Sequence, residues 1–254
     1  FPNSKFSETD FSNSDLSNID LSFSDLLGAN FTNAKLTNVD FTGSNLSGVI
    51  FTGAYVENVD FSNSTIYGTK FVGTSLEKSV FDNSQINSAL FLGSKINDSS
   101  FNDVFIENTD FSGSIISKVD LSHQNFSNNV FKNTMLRAAN LSNSDFSNSD
   151  FSYAYLNAAD LSNSTLTDSN FFMTDFGAAN LSNANLIGTN LVKSYFKNTI
   201  LDDTIIDSTT LSDSCFENDV INKIQCTLMR YTLPGMPPYE TTYEQRDNYK
   251  INYP

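Results

Sequence analysis

The chain has no tryptophan, one histidine and two cysteines, and glycine and proline together supply only 16 of its 254 residues. Two cysteines are too few for a disulfide scaffold or a structural zinc site of the usual kind. Positive charge is scarce as well. The 14 Lys and Arg face 29 Asp and Glu, and the net charge of −15 argues against nucleic-acid binding through basic contacts. With a mean hydropathy of −0.25, the chain has no apolar run near the roughly 18 residues that a membrane span requires. Ser, Asn, Asp and Thr dominate what remains, a composition close to that of disordered segments. Against it stand 23 phenylalanines, and their placement excludes disorder.

In steps of five from Phe1 to Ile221, all 45 positions hold Phe (20), Leu (17), Ile (7) or Val (Val56). Two residues before each, Ala, Ser, Thr or Val fills 40 of 44 places; the exceptions are Ile19, Gln124, Asn129 and Asp219. A period of five fits neither a helix nor a flat strand. Two inward residues with one outward residue between them make a strand-like alternation three residues long. The other two residues, often Ser-Asn or Ser-Gly, are turn formers that bend the chain at a corner. Repeating that unit winds a solenoid, whose coils bury their apolar residues against one another.

Steps of 20 from Phe11 meet Phe31, Phe51, Phe71, Phe91, Phe111, Phe131, Phe151 and Phe171. Steps of 20 from Leu16 meet only aliphatic residues as far as Leu156. A coil of 20 residues with four sides stacks like on like, which suits offset-stacked rings. The sides are numbered one to four from those centred on Phe1, Phe6, Phe11 and Leu16.

The unit Ser144-Asp145-Phe146-Ser147-Asn148 resembles the A-(D/N)-L-x-x motif of the pentapeptide-repeat family, and Ala139-Asn140-Leu141-Ser142-Asn143 matches it without change, as do residues 179–183. The resemblance covers residues 1–221. It implies an all-β fold, the family's right-handed quadrilateral parallel β-helix, with about 11 coils over 221 residues. The pattern fails after Ile221. Val220, Ile221, Ile224 and Leu228 have helical spacing, so residues 222–254 are expected to hold a short capping helix and an extended tail. Cys215 and Cys226 either join the last coil to this cap by a disulfide or stand as two separate thiols.

The sequence begins with Phe1, which suggests either a removed targeting segment or a piece of something longer. An exported or organelle-lumen location (periplasm, thylakoid lumen or extracellular) is expected over a cytoplasmic one. Eight Asn-x-Ser/Thr sequons, such as those at Asn30, Asn45 and Asn140, follow from the repeat itself. Catalysis is not expected. The lone His123 takes a corner position with no partner base, nucleophile or metal implied, and the Ser and Asp residues belong to the repeat. No cofactor and no metal are implied.

Charge is distributed unevenly over the sides. Up to Ile221, side one carries ten acids and no base, side two six acids and one Lys, side three four acids and three Lys, and side four six of each. Outward apolar residues favour the balanced half: Tyr55, Val72, Leu92, Ile115, Met135, Tyr153, Tyr155, Phe172, Met173, Val192 and Tyr195. Low charge combined with apolar surface marks a docking face for a protein partner or a second copy, with the chain as a subunit of a larger complex. On side one, Asp20, Asp40 and Asp60 would stack about 4.8 Å apart, where repulsion is expected to raise carboxyl pKa values or recruit cations. Some bacterial members of the family resemble duplex DNA and inhibit DNA gyrase, so the resemblance offers such mimicry as the alternative function.

Overall fold

The computed structural model describes residues 1–206 and Ser214. Seven strands of three residues appear in chain order: β1 (Lys35–Thr37), β2 (Tyr55–Glu57), β3 (Thr65–Tyr67), β4 (Ser75–Glu77), β5 (Gln85–Asn87), β6 (Lys95–Asn97) and β7 (Phe105–Glu107). They form two parallel sheets, β1-β2-β4-β6 on side four and β3-β5-β7 on the opposite side two. The register puts Leu36, Val56, Leu76 and Ile96 in one file, and Ile66, Ile86 and Ile106 in another. Elsewhere single parallel bridges repeat the same 20-residue offset, from Lys5 with Asp25 to Asn185 with Ile205. The fold is therefore a four-sided parallel β-solenoid of about ten described coils, all strand and without a helix among the described residues. The expected capping helix and tail, and both cysteines, lie outside those residues.

Local chemistry explains the corner. After each core residue the chain turns through two residues, and the second has positive φ wherever the repeat is described, for example Asn63 (57°), Asn163 (58°) and Gly113 (67°). Asn and Gly tolerate that left-handed conformation best. Many corners close with the bond of a β-turn, such as Ala34 N–H to Phe31 C=O at 3.0 Å. Asp or Asn just before the core residue accepts the N–H two residues on, as Asp40 does from Thr42 (2.8 Å), holding the turn in place.

Inside the coils, rings stack along the axis. On side three, Phe51, Phe71 and Phe91 follow one another at 5.0 and 4.7 Å with interplanar angles of 6° and 12°. A second ladder, Phe41–Phe61–Phe81–Phe101, stacks on side one at 5.4, 4.8 and 4.8 Å. Across the coil the two ladders meet edge to face, as Phe61 meets Phe71 at 5.8 Å and 87°. The small inward slot has its own role. The core residue's carbonyl closes the corner turn and takes no backbone rung from the next coil, and buried hydroxyls from one coil further on give it a second donor: Thr74 Oγ1 to Phe51 O (2.7 Å), Ser169 Oγ to Phe146 O (2.7 Å) and Ser194 Oγ to Phe171 O (2.6 Å). Ser and Thr thus use the second lone pair of carbonyls already bonded within the turn, which Ala would leave unused.

Candidate interaction surface

Sides three and four carry the residues that the sequence marks for docking. Ile115, Met135 and Tyr155 are bridged in one file, so each side chain leans on the next. Beside them Tyr153 and Phe172 meet edge to face at 5.5 Å and 82°. Lys132 Nζ lies 6.0 Å from the Tyr153 ring centre and Lys193 Nζ 6.0 Å from that of Phe172. These lysines are exposed and hold their cationic heads over aromatic faces, a weak attraction in water. Met173 and Val192 adjoin this cluster. Val72 and Leu92 lie lower on side three, above a corner lined by Gly53, Gly73, Gly93 and Gly113.

Accessibility refines the expectation. Tyr55 is exposed, its hydroxyl donating to Glu57 at 2.9 Å, and that hydrogen bond pushes the phenol pKa above its usual value. Val72, Leu92, Ile115, Met135, Tyr153, Tyr155, Phe172, Met173 and Val192 are half-buried. Tyr195 does not belong to the surface: it is 2% exposed. Gly177, one coil below, stands beside it, and a Cβ there would lie in ordinary contact with the Tyr195 ring at 3.7 Å. Asp175, its neighbour in the file, is buried as well, and its Oδ1 accepts the Gly177 N–H at 2.9 Å. The most exposed internal rings are on the acidic half instead: Phe23 (63%), Phe105 (61%) and Tyr67 (59%). The outward slots already place all three on sides one and two, but the degree of exposure depends on the file and not on the slot alone. Phe105 has Gln85 below it in its column, whereas Met135 sits between Ile115 and Tyr155.

The acidic half also differs from expectation. Asp20, Asp40 and Asp60 do form a bridged file. Yet the Asp20 carboxyl is held below its ordinary pKa, because the Ser22 hydroxyl and backbone N–H donate to it at 2.6 and 2.9 Å. Local hydrogen bonds to the charged form outweigh repulsion from the neighbouring coil. Where Asn follows Asp in a file, its amide donates across the gap: Asn45 to Asp25 (3.0 Å), Asn170 to Asp150 (3.0 Å) and Asn180 to Asp160 (3.1 Å). No group of three or more His, Cys, Asp or Glu suited to a metal ion occurs among the described residues. No helix among the described residues is long and apolar enough to cross a membrane.

Comparison with known proteins agrees with this architecture. The family of pentapeptide repeats (8 copies) matches residues 4–43, 14–53, 106–143, 144–177 and 179–218, and the pentapeptide repeat region family matches 34–111. The chain belongs to the pentapeptide-repeat family. Among solved structures, this pentapeptide-repeat chain is similar to HetL, involved in heterocyst differentiation regulation in the cyanobacterium Nostoc sp. strain PCC 7120. The identity is 18%, covering 86% of this chain and 91% of that one, with a TM-score of 0.36. It is also similar to a trypsin-treated form of QnrB1, a plasmid-mediated fluoroquinolone resistance protein: 21% identity, 74% and 90% coverage, TM-score 0.48. A pentapeptide repeat protein from the Arabidopsis thaliana thylakoid lumen matches at 19% identity, 63% and 70% coverage and TM-score 0.16. At such identities the likeness is one of fold alone. No curated protein matches the sequence.

Proposed function

We propose that the chain is a non-enzymatic interaction module that docks onto a protein partner or a second copy through sides three and four. The observation that carries this reading is the cluster at residues 132–193. There the Tyr153–Phe172 pair, flanked by Lys132 and Lys193, adjoins the Ile115–Met135–Tyr155 file on the half of the rod whose charges balance. Aromatic anchors on a surface of low net charge are the composition of interface cores. The family supports the coarser statement, since such solenoids generally act as structural or interaction modules.

The test is co-purification from the native source. Tyr153→Ser and Phe172→Ser together remove both rings from the surface and leave the stacked core untouched. Partner recovery is expected to fall at least tenfold, since loss of an aromatic anchor costs about 2 kcal/mol or more, while the far-UV circular dichroism stays unchanged. Full recovery of the partner on the double variant would rule out this face.

A further inference from the structure

The hydrogen-bonded ladder that joins successive coils is broken at one level. Elsewhere among the described residues the core residue donates its N–H to the carbonyl 19 residues on, as Phe81 does to Ser100 (2.8 Å) and Leu121 to Asn140 (2.8 Å). Between Asp98–Asn108 and Ser117–Ser127 these rungs are missing. Phe101 and Ile106 do not pair with Asp120 and Asn125, and the bridges Ser100 to Asp120 and Phe105 to Asn125 are absent from an otherwise continuous series. The gap runs along sides one and two. On sides three and four the same two coils remain joined, through Phe111 N–H to Val130 O (2.7 Å), Gly113 to Lys132 (2.8 Å) and Ile116 to Met135 (2.8 Å).

The cause lies in the inward slot. The file at the corner between sides one and two reads Ser24, Ser44, Ser64, Ser84, Val104, Gln124, Ser144, Ser164. Val104 and Gln124 are therefore neighbours across the gap. Valine alone fits the slot, since Val39 and Val59 stack with Asp60 N–H still bonded to Val39 O at 3.0 Å, and the half-exposed Gln124 is the residue that departs from it. A coil spacing of about 4.8 Å accommodates two hydroxymethyl groups there but not an isopropyl beneath an amide. Packing changes at the same level. The side-one ladder ends at Phe101, with Leu121 next in its file, and a new ladder starts on side two with Phe126 and Phe146 (5.3 Å). Only the side-three stack continues through, Phe111 on Phe131 at 5.1 Å and 2°. The core stays closed: Val104 and Ile106 are 7% and 4% exposed, against 0% for Ile66 and Ile86.

We propose that this seam is a hinge, with Val104 and Gln124 as its wedge and the rungs of sides three and four as its pivot. The two stacks of coils bend about the pivot, and opening sides one and two makes sides three and four concave. The hinge stands on the ladder alone. Its use, letting the docking faces bow around a partner, rests on the reading proposed above.

Double electron–electron resonance tests the motion. Spin labels are placed at positions 63 and 163 through a ketone-bearing non-native residue, which leaves Cys215 and Cys226 intact. Both positions lie in one corner file of side one, on opposite sides of the seam. A control pair at 33 and 133 lies in the corresponding file of side three. The expected result is a broad 63–163 distance distribution that narrows in the Val104→Ser/Gln124→Ser variant, with the control pair narrow throughout. In the same variant the Phe101, Ile106, Asp120 and Asn125 amides should exchange with solvent on the order of 100-fold more slowly, as rungs form. A 63–163 distribution as narrow as the control, or one unchanged by removing the wedge, overturns the hinge. Because these readouts involve no partner, loss of the docking reading through the aromatic variants leaves them unaffected. A mobile seam whose closure leaves partner recovery unchanged would remove its role in docking.

Discussion

At the scale of the residue, each slot of the five-residue unit answers a separate physical demand. The outward acid before the core residue is a turn-holder first and a charge second. Asp10, Asp15 and Asp20 have carboxyl pKa values below the ordinary one, chiefly because Ser12, Ser17 and Ser22 donate hydrogen bonds to them. A carboxyl with a depressed folded pKa contributes stability above its unfolded value, about 4, and that contribution is lost as pH falls through the lower folded value. Replacing Ser22 by Ala should therefore move the Asp20 pKa upward, as read by carboxyl carbon NMR titration; an unmoved value would show that Ser22 is not the cause. The buried hydroxyl makes a second, independent prediction. Thr74→Val keeps the volume but leaves the Phe51 carbonyl with the Ala54 N–H alone, without its 2.7 Å hydroxyl donor. It should cost about 1 kcal/mol in chemical denaturation, whereas an unchanged midpoint would mean that the hydroxyl bond adds nothing to stability.

At the scale of the element, a strand of three residues has no independent stability, and the ladder of rings supplies what the short sheets lack. Phe91 sits between Phe71 at 4.7 Å and Phe111 at 4.9 Å, fully buried. Phe91→Ala is expected to destabilise the fold by roughly 3–5 kcal/mol, because neighbouring coils are tied into rungs and cannot collapse into the cavity. A loss below about 1 kcal/mol in equilibrium unfolding would show that the stack relaxes freely. The slots, the coil length and the side-three stack were all legible in the sequence, since they follow from period and residue size. Exposure was less legible. Tyr195 occupies an outward slot yet is 2% exposed, whereas Tyr155, two coils earlier in the same file, is half-buried. Conversely, Phe105 protrudes because its file offers it no bulky neighbour.

At the scale of the whole molecule, the rod has an acidic half and a balanced half, and the two suggest different partners. A duplex mimic would work through sides one and two. The docking reading uses three and four and expects no inhibition when the purified chain is added to a DNA gyrase supercoiling assay. Strong inhibition there would reverse the assignment of faces. Net charge of −15 favours solubility in either case, through mutual repulsion of the rods.

The sequence by itself determined the coil. An apolar residue every fifth place, with a small residue two before it, has one economical solution, in which each coil closes its neighbour's core. The exceptions at Gln124 and Asn129 were visible too, but their consequence was not. Asn129 is absorbed, its side-chain carbonyl accepting the Thr109 N–H at 2.7 Å. Gln124 meets Val104 across the same gap, and there the ladder parts. Only the tertiary structure decides between those outcomes, because both depend on what stands 20 residues away and on whether the backbone can turn a polar group toward a partner. The scarcity of basic residues has the same lesson: composition made the chain acidic, while the winding of the coils placed Lys132 and Lys193 over the two rings of its balanced side.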